Sequence, residues 1–152
     1  MADAGQTLRP VADGPWRGWS QWLHPEGNIF MRSLGSSYAR GAGPARATVA
    51  FPTSAAHCNA LGVLHGGFLA SFADHAYSVA LAAMGRPGGV ATLTVDLGMQ
   101  YFGTGRPGAP LIGDVELLRE TGRMLFMRMT VAQEGEPIAA STVTMRKLAG
   151  TA

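Results

Sequence analysis

The chain has 152 residues, enough for one domain with a sizeable core, and 47% of them are apolar against 14% charged. Soluble chains usually carry about a quarter of charged residues, so part of this surface is expected to be buried between subunits. A net charge of +2 without a basic run argues against nucleic acid, and the single Cys58 excludes an internal disulfide and suits a reducing cytoplasm.

Residues 1–14 are small, polar and punctuated by Pro and Gly, and are expected to be partly mobile. They lack the apolar h-region of a secretory signal, and no apolar run in the chain reaches the ~18–20 residues of a membrane span. Trp16, Trp19 and Trp22 then recur at a spacing of three, which predicts a short helical extension laying an aromatic face on the body. That face reads either as packing or as a lid over a pocket.

Residues 29–38 read as a strand, 41–44 as a turn and 47–51 as a second strand ended by Pro52. Residues 52–64 have no period and read as a loop. From Gly67 to about Ala83 the pattern becomes helical. Leu69, Phe72, Ala73, Ala76, Ala80 and Ala83 share one face, and the alanines there let a sheet approach closely. Gly85 and the turn at 87–89 end this helix. Four strands follow, at 91–102, 111–120, 123–133 and 138–147, and they are expected to form an antiparallel meander. Two strands, one long helix and four strands argue for an α+β fold with a single main domain, residues 29–148, after an extension at 1–28.

The chemistry gathers at the start of the long helix. Gly66 and Gly67 let backbone approach a ligand without Cβ atoms in the way, and the first N–H groups of a helix have no intrahelical partner. A carbonyl placed there is polarised, and an oxyanion formed from it is stabilised. Asp74 lies about two turns further on, within a narrow stripe of small and polar residues formed by Gly67, Ser71, Asp74 and Ser78. A carboxylate on an otherwise apolar helix is a candidate base or nucleophile. Singly, an aspartate or a Gly-Gly pair is more often a solvated residue or a turn.

Together, Asn59, Gly62, His65, Gly66, Gly67 and Asp74 make the string N-x-x-G-x-x-H-G-G-x-x-x-x-x-x-D. This string resembles the signature of hotdog-fold thioesterases, and is most similar to the phenylacetate-degradation (PaaI-like) branch of the 4-hydroxybenzoyl-CoA thioesterase superfamily. The order of elements agrees from about Ile29 to Lys147. The resemblance implies an antiparallel sheet wrapped around one long central helix, and hydrolysis of an acyl- or aryl-CoA to the free acid and CoA. It implies that the Gly66 N–H polarises the thioester carbonyl, that Asn59 positions water or substrate, and that His65 braces the loop. Asp74, from the neighbouring subunit, would be nucleophile or general base. Gly67 would help bind substrate, as would a strand hydroxyl, Thr94 first and Thr92 second. It further implies a homodimer or homotetramer with sites at the subunit interface and no cofactor.

Other residues carry weaker signals. His57 sits beside the motif and reads equally as structural or as lining the site, while Cys58 reads as a small packed residue, because adjacent side chains on a loop do not make a nucleophile pair. His24 and His75 have no partner that the sequence identifies, and the four histidines lack metal-ligand spacing. Arg106, Arg119, Arg123 and Arg128 are candidates for CoA phosphates, though an arginine in such a place is more often a solvated strand-end charge. Two rival readings remain, a non-catalytic acyl-CoA-binding or sensor module and a hotdog dehydratase or hydratase. Residues 1–28 carry no basic cluster and are short for a DNA-binding segment, which disfavours a fused regulator. His65 followed by Gly-Gly, with Asp74 nine residues later, resembles the thioesterase arrangement rather than the hydratase one.

Overall fold

The computed structural model describes residues 8–24, 28–86 and 91–148. Of the segment 1–14 expected to be partly mobile, residues 1–7 lie outside the described residues, as does the turn expected at 87–89, whereas Leu8–Pro10 form a strand. In chain order the elements are β1 (Leu8–Pro10), β2 (Ser20–Trp22), α1 (Ile29–Leu34), β3 (Tyr38–Gly41), β4 (Arg46–Phe51), a single 3-10 turn (Ala55–His57), α2 (Gly66–Ala83), β5 (Thr92–Tyr101), β6 (Leu111–Glu120), β7 (Met124–Gln133) and β8 (Glu136–Lys147).

All eight strands join one antiparallel sheet in the order β1-β2-β3-β4-β6-β7-β8-β5, and α2 lies against it. This is the α+β arrangement expected, a sheet wrapped around one long helix. The predicted face of α2 is the packed one, with Phe72, Ala73, Ala76 and Ala80 fully buried. Gly113 on β6 makes room for it: a Cβ there would meet the Phe72 ring at 3.2 Å. Burial extends further round α2, to Phe68, His75, Tyr77, Val79 and Leu81. What stays partly open is the stripe of Ala70, Ser71, Asp74 and Ser78. Among the described residues, no helix is long and apolar enough to cross a membrane.

Four sequence expectations need correcting. The tryptophan segment is not helical. Residues 15–18 form a turn inside the loop joining β1 to β2, and β2 pairs with β3, so the segment extends the sheet. Trp16 stacks on Tyr38 with centroids 4.5 Å apart, and the Arg40 guanidinium sits 4.0 Å over the Trp19 ring. The spacing of three reflects a turn, where Trp19 N–H donates to the Trp16 carbonyl at 3.0 Å. Residues 29–38 are not one strand either. Ile29–Leu34 make a short helix that turns Met31 inward, and Gly35, at φ 140°, ends it before β3 begins at Tyr38. A six-residue helix is unstable alone, so packing rather than propensity selects it.

The last four strands do not form a sequential meander. β6, β7 and β8 do, but β5 crosses over to pair with β8, which leaves it at the sheet edge. The β7–β8 hairpin turns on Glu134 and Gly135, both with positive φ, as a two-residue turn matched to strand twist requires. The fourth correction is of range only: α2 starts at Gly66, with His65 as its N-cap.

Candidate active site

The loop before α2 is fixed by its own backbone. Asn59 N–H donates to the Val63 carbonyl at 2.9 Å, and Gly62 N–H to the Asn59 carbonyl at 3.0 Å. Gly62 sits at φ 74°, which favours glycine. The Asn59 side-chain oxygen accepts from Leu61 N–H at 2.9 Å and Val63 N–H at 3.4 Å. Its carbonyl therefore shapes the loop, and its amide NH2 is the end left for a ligand.

His57, which the sequence left between structure and site, is structural. Its Nδ1 accepts from Ser54 N–H at 3.0 Å and its Nε2 donates to the Leu34 carbonyl at 2.7 Å, so the loop is tied to the end of α1. The ring stacks on Phe68 at 4.1 Å. From there His65 N–H donates to the His57 carbonyl at 2.9 Å and holds the glycine pair in place.

At the helix start, His65 Nδ1 accepts from Gly67 N–H at 2.8 Å. The neutral ring therefore carries its proton on Nε2. The first intrahelical bond runs from Leu69 N–H to the His65 carbonyl at 3.0 Å. Gly66, Gly67 and Phe68 thus precede the helical ladder, and His65 consumes the Gly67 donor. The Gly67 N–H is thereby taken up, while the Gly66 and Phe68 N–H groups have no hydrogen-bond partner among the described residues. Tyr101 at the end of β5, which sequence reasoning passed over, donates its hydroxyl to the Gly66 carbonyl at 3.0 Å and lays its ring 3.7 Å from where a Gly66 Cβ would stand. The signal for it was faint, one tyrosine seven residues beyond Thr94.

Asp74 sits mid-helix on the open stripe. Thr94 Oγ1 donates to Asp74 Oδ1 at 2.6 Å. β5 is bulged at this point, pairing Thr94 with Met145 and then Asp96 with Thr144, so that Val95 is the extra residue. A bulge re-aims a neighbouring side chain, and here it accompanies the contact with α2. Thr92 does not reach Asp74; its hydroxyl lies 3.9 Å from Met145 Sδ.

A cavity of about 640 Å³ opens beside Asp74, lined among others by Trp22, Phe30, Met31, Ser78 and Thr94. Two of its walls, α1 and β2, are the segments whose structure the sequence did not reveal. His75 lines it too. Burial, and after it the neighbouring His24, push this imidazole down to about 4, so it is neutral at physiological pH. Its Nε2 pairs with Ser37 Oγ at 2.9 Å, and its ring stacks on His24 at 5.6 Å. Burial also lowers the His24 pKa.

A larger groove, about 780 Å³, lies on the sheet face turned away from α2, but its charges are already satisfied. Arg46 and Arg128 both pair with Glu116, and Thr48 donates to Asp114. Of the arginines considered for phosphate contacts, Arg128 is thereby engaged.

The structure therefore makes two groupings, not one. Asn59, His65, Gly66 and Tyr101 stand at the helix start, and Asp74 with Thr94 stands mid-helix. Eight residues of α-helix separate Gly66 from Asp74, about 12 Å along the axis.

A family model described as the thioesterase superfamily matches residues 61–140. Among curated proteins, acyl-coenzyme A thioesterase 13 of Homo sapiens is 27% identical over 97 residues, covering 64% of this chain and 68% of that protein. Among solved structures, the TT0310 protein of Thermus thermophilus is 30% identical, with a TM-score of 0.67, covering 80% of this chain and 98% of that one. A mutant of the phenylacetic acid degradation protein PaaI from the same organism is 28% identical, with a TM-score of 0.66, covering 80% and 100%.

Proposed function

From the premise that this chain belongs to the thioesterase superfamily, and is a thioester hydrolase, we propose that it cleaves acyl- or aryl-CoA to the free acid and CoA at a site shared between two subunits. The observation that carries this reading is the Thr94–Asp74 hydrogen bond on the wall of the cavity. It fixes one carboxylate oxygen and leaves Oδ2 to act. As general base, Asp74 takes a proton from water, and the resulting hydroxide adds to the thioester carbonyl carbon. The Gly66 N–H, at the positive end of α2, holds the oxyanion. Collapse breaks the C–S bond, and the proton held by Asp74 leaves with the thiolate as the CoA thiol. As nucleophile, Asp74 would add through Oδ2 to the same carbon, break the C–S bond and expel the CoA thiolate to form an anhydride; water then hydrolyses the anhydride to the free acid and the restored carboxylate, its other proton going to the thiolate. Asn59 positions the water or the substrate, and Gly67 lines the approach.

Reacting groups must stand about 3 Å from one carbon, and about 12 Å of helix between Gly66 and Asp74 of one chain forbids that. A second copy supplying Asp74 resolves the distance. The edge strand β5 suits that contact, with Leu93 56%, Val95 60% and Tyr101 50% exposed, and Phe102 just beyond it 58% exposed. Exposed apolar side chains on an unpaired strand edge mark an interface. A homodimer, or a homotetramer built from it, covers this edge, and we place the enzyme in the cytoplasm, in line with its single cysteine.

Purified protein given a panel of acyl- and aryl-CoAs should release free thiol, and Asp74→Ala should stop the release. Binding of CoA esters with no turnover across the panel would instead support the acyl-CoA-binding module.

A further inference from the structure

Tyr101 makes a contact that the proposed chemistry does not use. Its hydroxyl donates to the Gly66 carbonyl at 3.0 Å, and its ring lies 3.7 Å from where a Gly66 Cβ would stand. The tyrosine is anchored at its own base. It pairs with Ala139 of β8, and the two amides after it, Phe102 N–H and Gly103 N–H, both donate to the Ile138 carbonyl at 3.1 and 2.9 Å. Gly103 permits that approach, since a Cβ there would meet Ile138 Cα at 2.9 Å. The ring therefore reaches α2 from a fixed strand end, although half of it is exposed.

Gly66 is a residue that needs holding. Neither it nor Gly67 has a Cβ, so the backbone at the start of α2 is free to turn where another pair of residues would not be. Two peptide planes meet at Gly66. The first carries the unpartnered Gly66 N–H, and its His65 carbonyl accepts from Leu69 N–H at 3.0 Å. The second is held at its nitrogen by His65 Nδ1 at 2.8 Å and at its carbonyl by Tyr101. Pinning the second plane from β5 keeps the first from rocking about Gly66, and so keeps the direction of the N–H. A donor that is fixed before charge develops stabilises that charge without a reorganisation cost. Thr94, on the same strand, holds Asp74. β5 thus reaches both groupings of the site.

We propose that Tyr101 is a positioning residue for the oxyanion: through the Gly66 carbonyl, its hydroxyl sets the angle at which the Gly66 N–H meets the thioester oxygen. The inference rests on the thioesterase reading above and adds to it a side chain that acts through the backbone without touching substrate. Removing a whole oxyanion donor costs about a hundredfold to a thousandfold in kcat, so loosening one should cost less, roughly tenfold. The loss should fall on the transition state rather than on substrate binding, because the full oxyanion exists only there.

The test is Tyr101→Phe, which keeps the ring and removes the hydroxyl, assayed with wild type well below the melting temperature of either. With an acyl-CoA that wild type hydrolyses, kcat should fall by roughly tenfold while KM stays within about twofold. Two CoA thioethers that cannot be hydrolysed give a second readout. The S-trifluoroacetonyl thioether takes up water and ionises to a tetrahedral oxyanion, whereas the S-acetonyl thioether keeps a plain carbonyl. By calorimetry, Tyr101→Phe should weaken binding of the first by about threefold to tenfold and leave the second within about twofold. A brace with no part in positioning would weaken both alike. A kcat within twofold of wild type, or an equal weakening of both thioethers, overturns this proposal alone. Failure of wild type to release thiol from any acyl-CoA overturns the thioesterase reading along with it.

Discussion

Thr94 Oγ1 donates to Asp74 Oδ1 across 2.6 Å, and so joins the middle of α2 to the bulge in β5. A hydrogen bond to a charged group contributes about 1.5–3 kcal/mol, and here it aims the carboxylate. Thr94→Ala should therefore lower kcat by about tenfold to a hundredfold, with Thr94→Ser recovering most of it. Asp74→Asn keeps the shape but removes the carboxylate proposed as base or nucleophile, and should cost about a hundredfold or more. Thiol release measures all three. Turnover within twofold of wild type in Thr94→Ala would rule out this role for the hydroxyl.

Hybrid dimers test the shared site. Asp74→Ala and Asn59→Ala should each be inactive, yet a co-expressed mixture should regain about a quarter of wild-type turnover, because each hybrid holds one intact site of two. If each chain carried a complete site, mixing would restore nothing. In parallel, Val95→Lys on the exposed strand edge should yield monomers by light scattering, with activity lost alongside.

The His65 cap separates bracing from chemistry. Losing an N-cap costs about 0.5–2 kcal/mol, so His65→Ala should lower the melting temperature and reduce turnover as the Gly66–Gly67 backbone loosens. Asparagine is a good N-cap, and His65→Asn should restore the melting temperature and most of the turnover. A variant that regains stability but stays dead would give the imidazole a direct part in the reaction.

Stability should fall in mild acid. Unfolded His75 takes a proton near 6.5, but the folded side chain resists until about 4, because burial and then His24 disfavour its charge. A lowered histidine pKa means that the stabilisation is complete above about 6.5 and is lost as pH falls toward 4, by at most about 3 kcal/mol. His24, shifted the same way, adds to the slope. Denaturant melts between pH 7 and 4 should show the decline, and His75→Gln should flatten most of it. An unchanged slope in that variant would exclude His75 as its source.

What the sequence disclosed followed the strength of each local pattern. α2 and the three strands after β5 are long and periodic, and they formed within a residue or two of expectation. The small-polar stripe through Ser71, Asp74 and Ser78 likewise came out as the open side of the helix. The pairing of β5 with β8 is non-local, and nothing in residues 92–101 themselves encodes their neighbour. Thr92 and Thr94, two apart, share a strand face in any reading, and only the crossing of β5 over α2 decides which one meets Asp74. The tryptophan spacing and the apolar run at 29–34 misled because both are shorter than the period they were judged by. The cavity walls that they build were hidden for the same reason.

The position of β5 has a consequence for biosynthesis. Among the described residues its only strand neighbour is β8, which ends at Lys147. A chain emerging from the ribosome can form α2 early, with Asp74 in place on it, but β5 must wait for the final strand before Thr94 is anchored. The Thr94–Asp74 pair therefore assembles only after β8 has formed, and the site proposed around it cannot precede that step. Truncation before residue 138 would leave a helix with its carboxylate unsupported, however much of the remaining sheet had assembled.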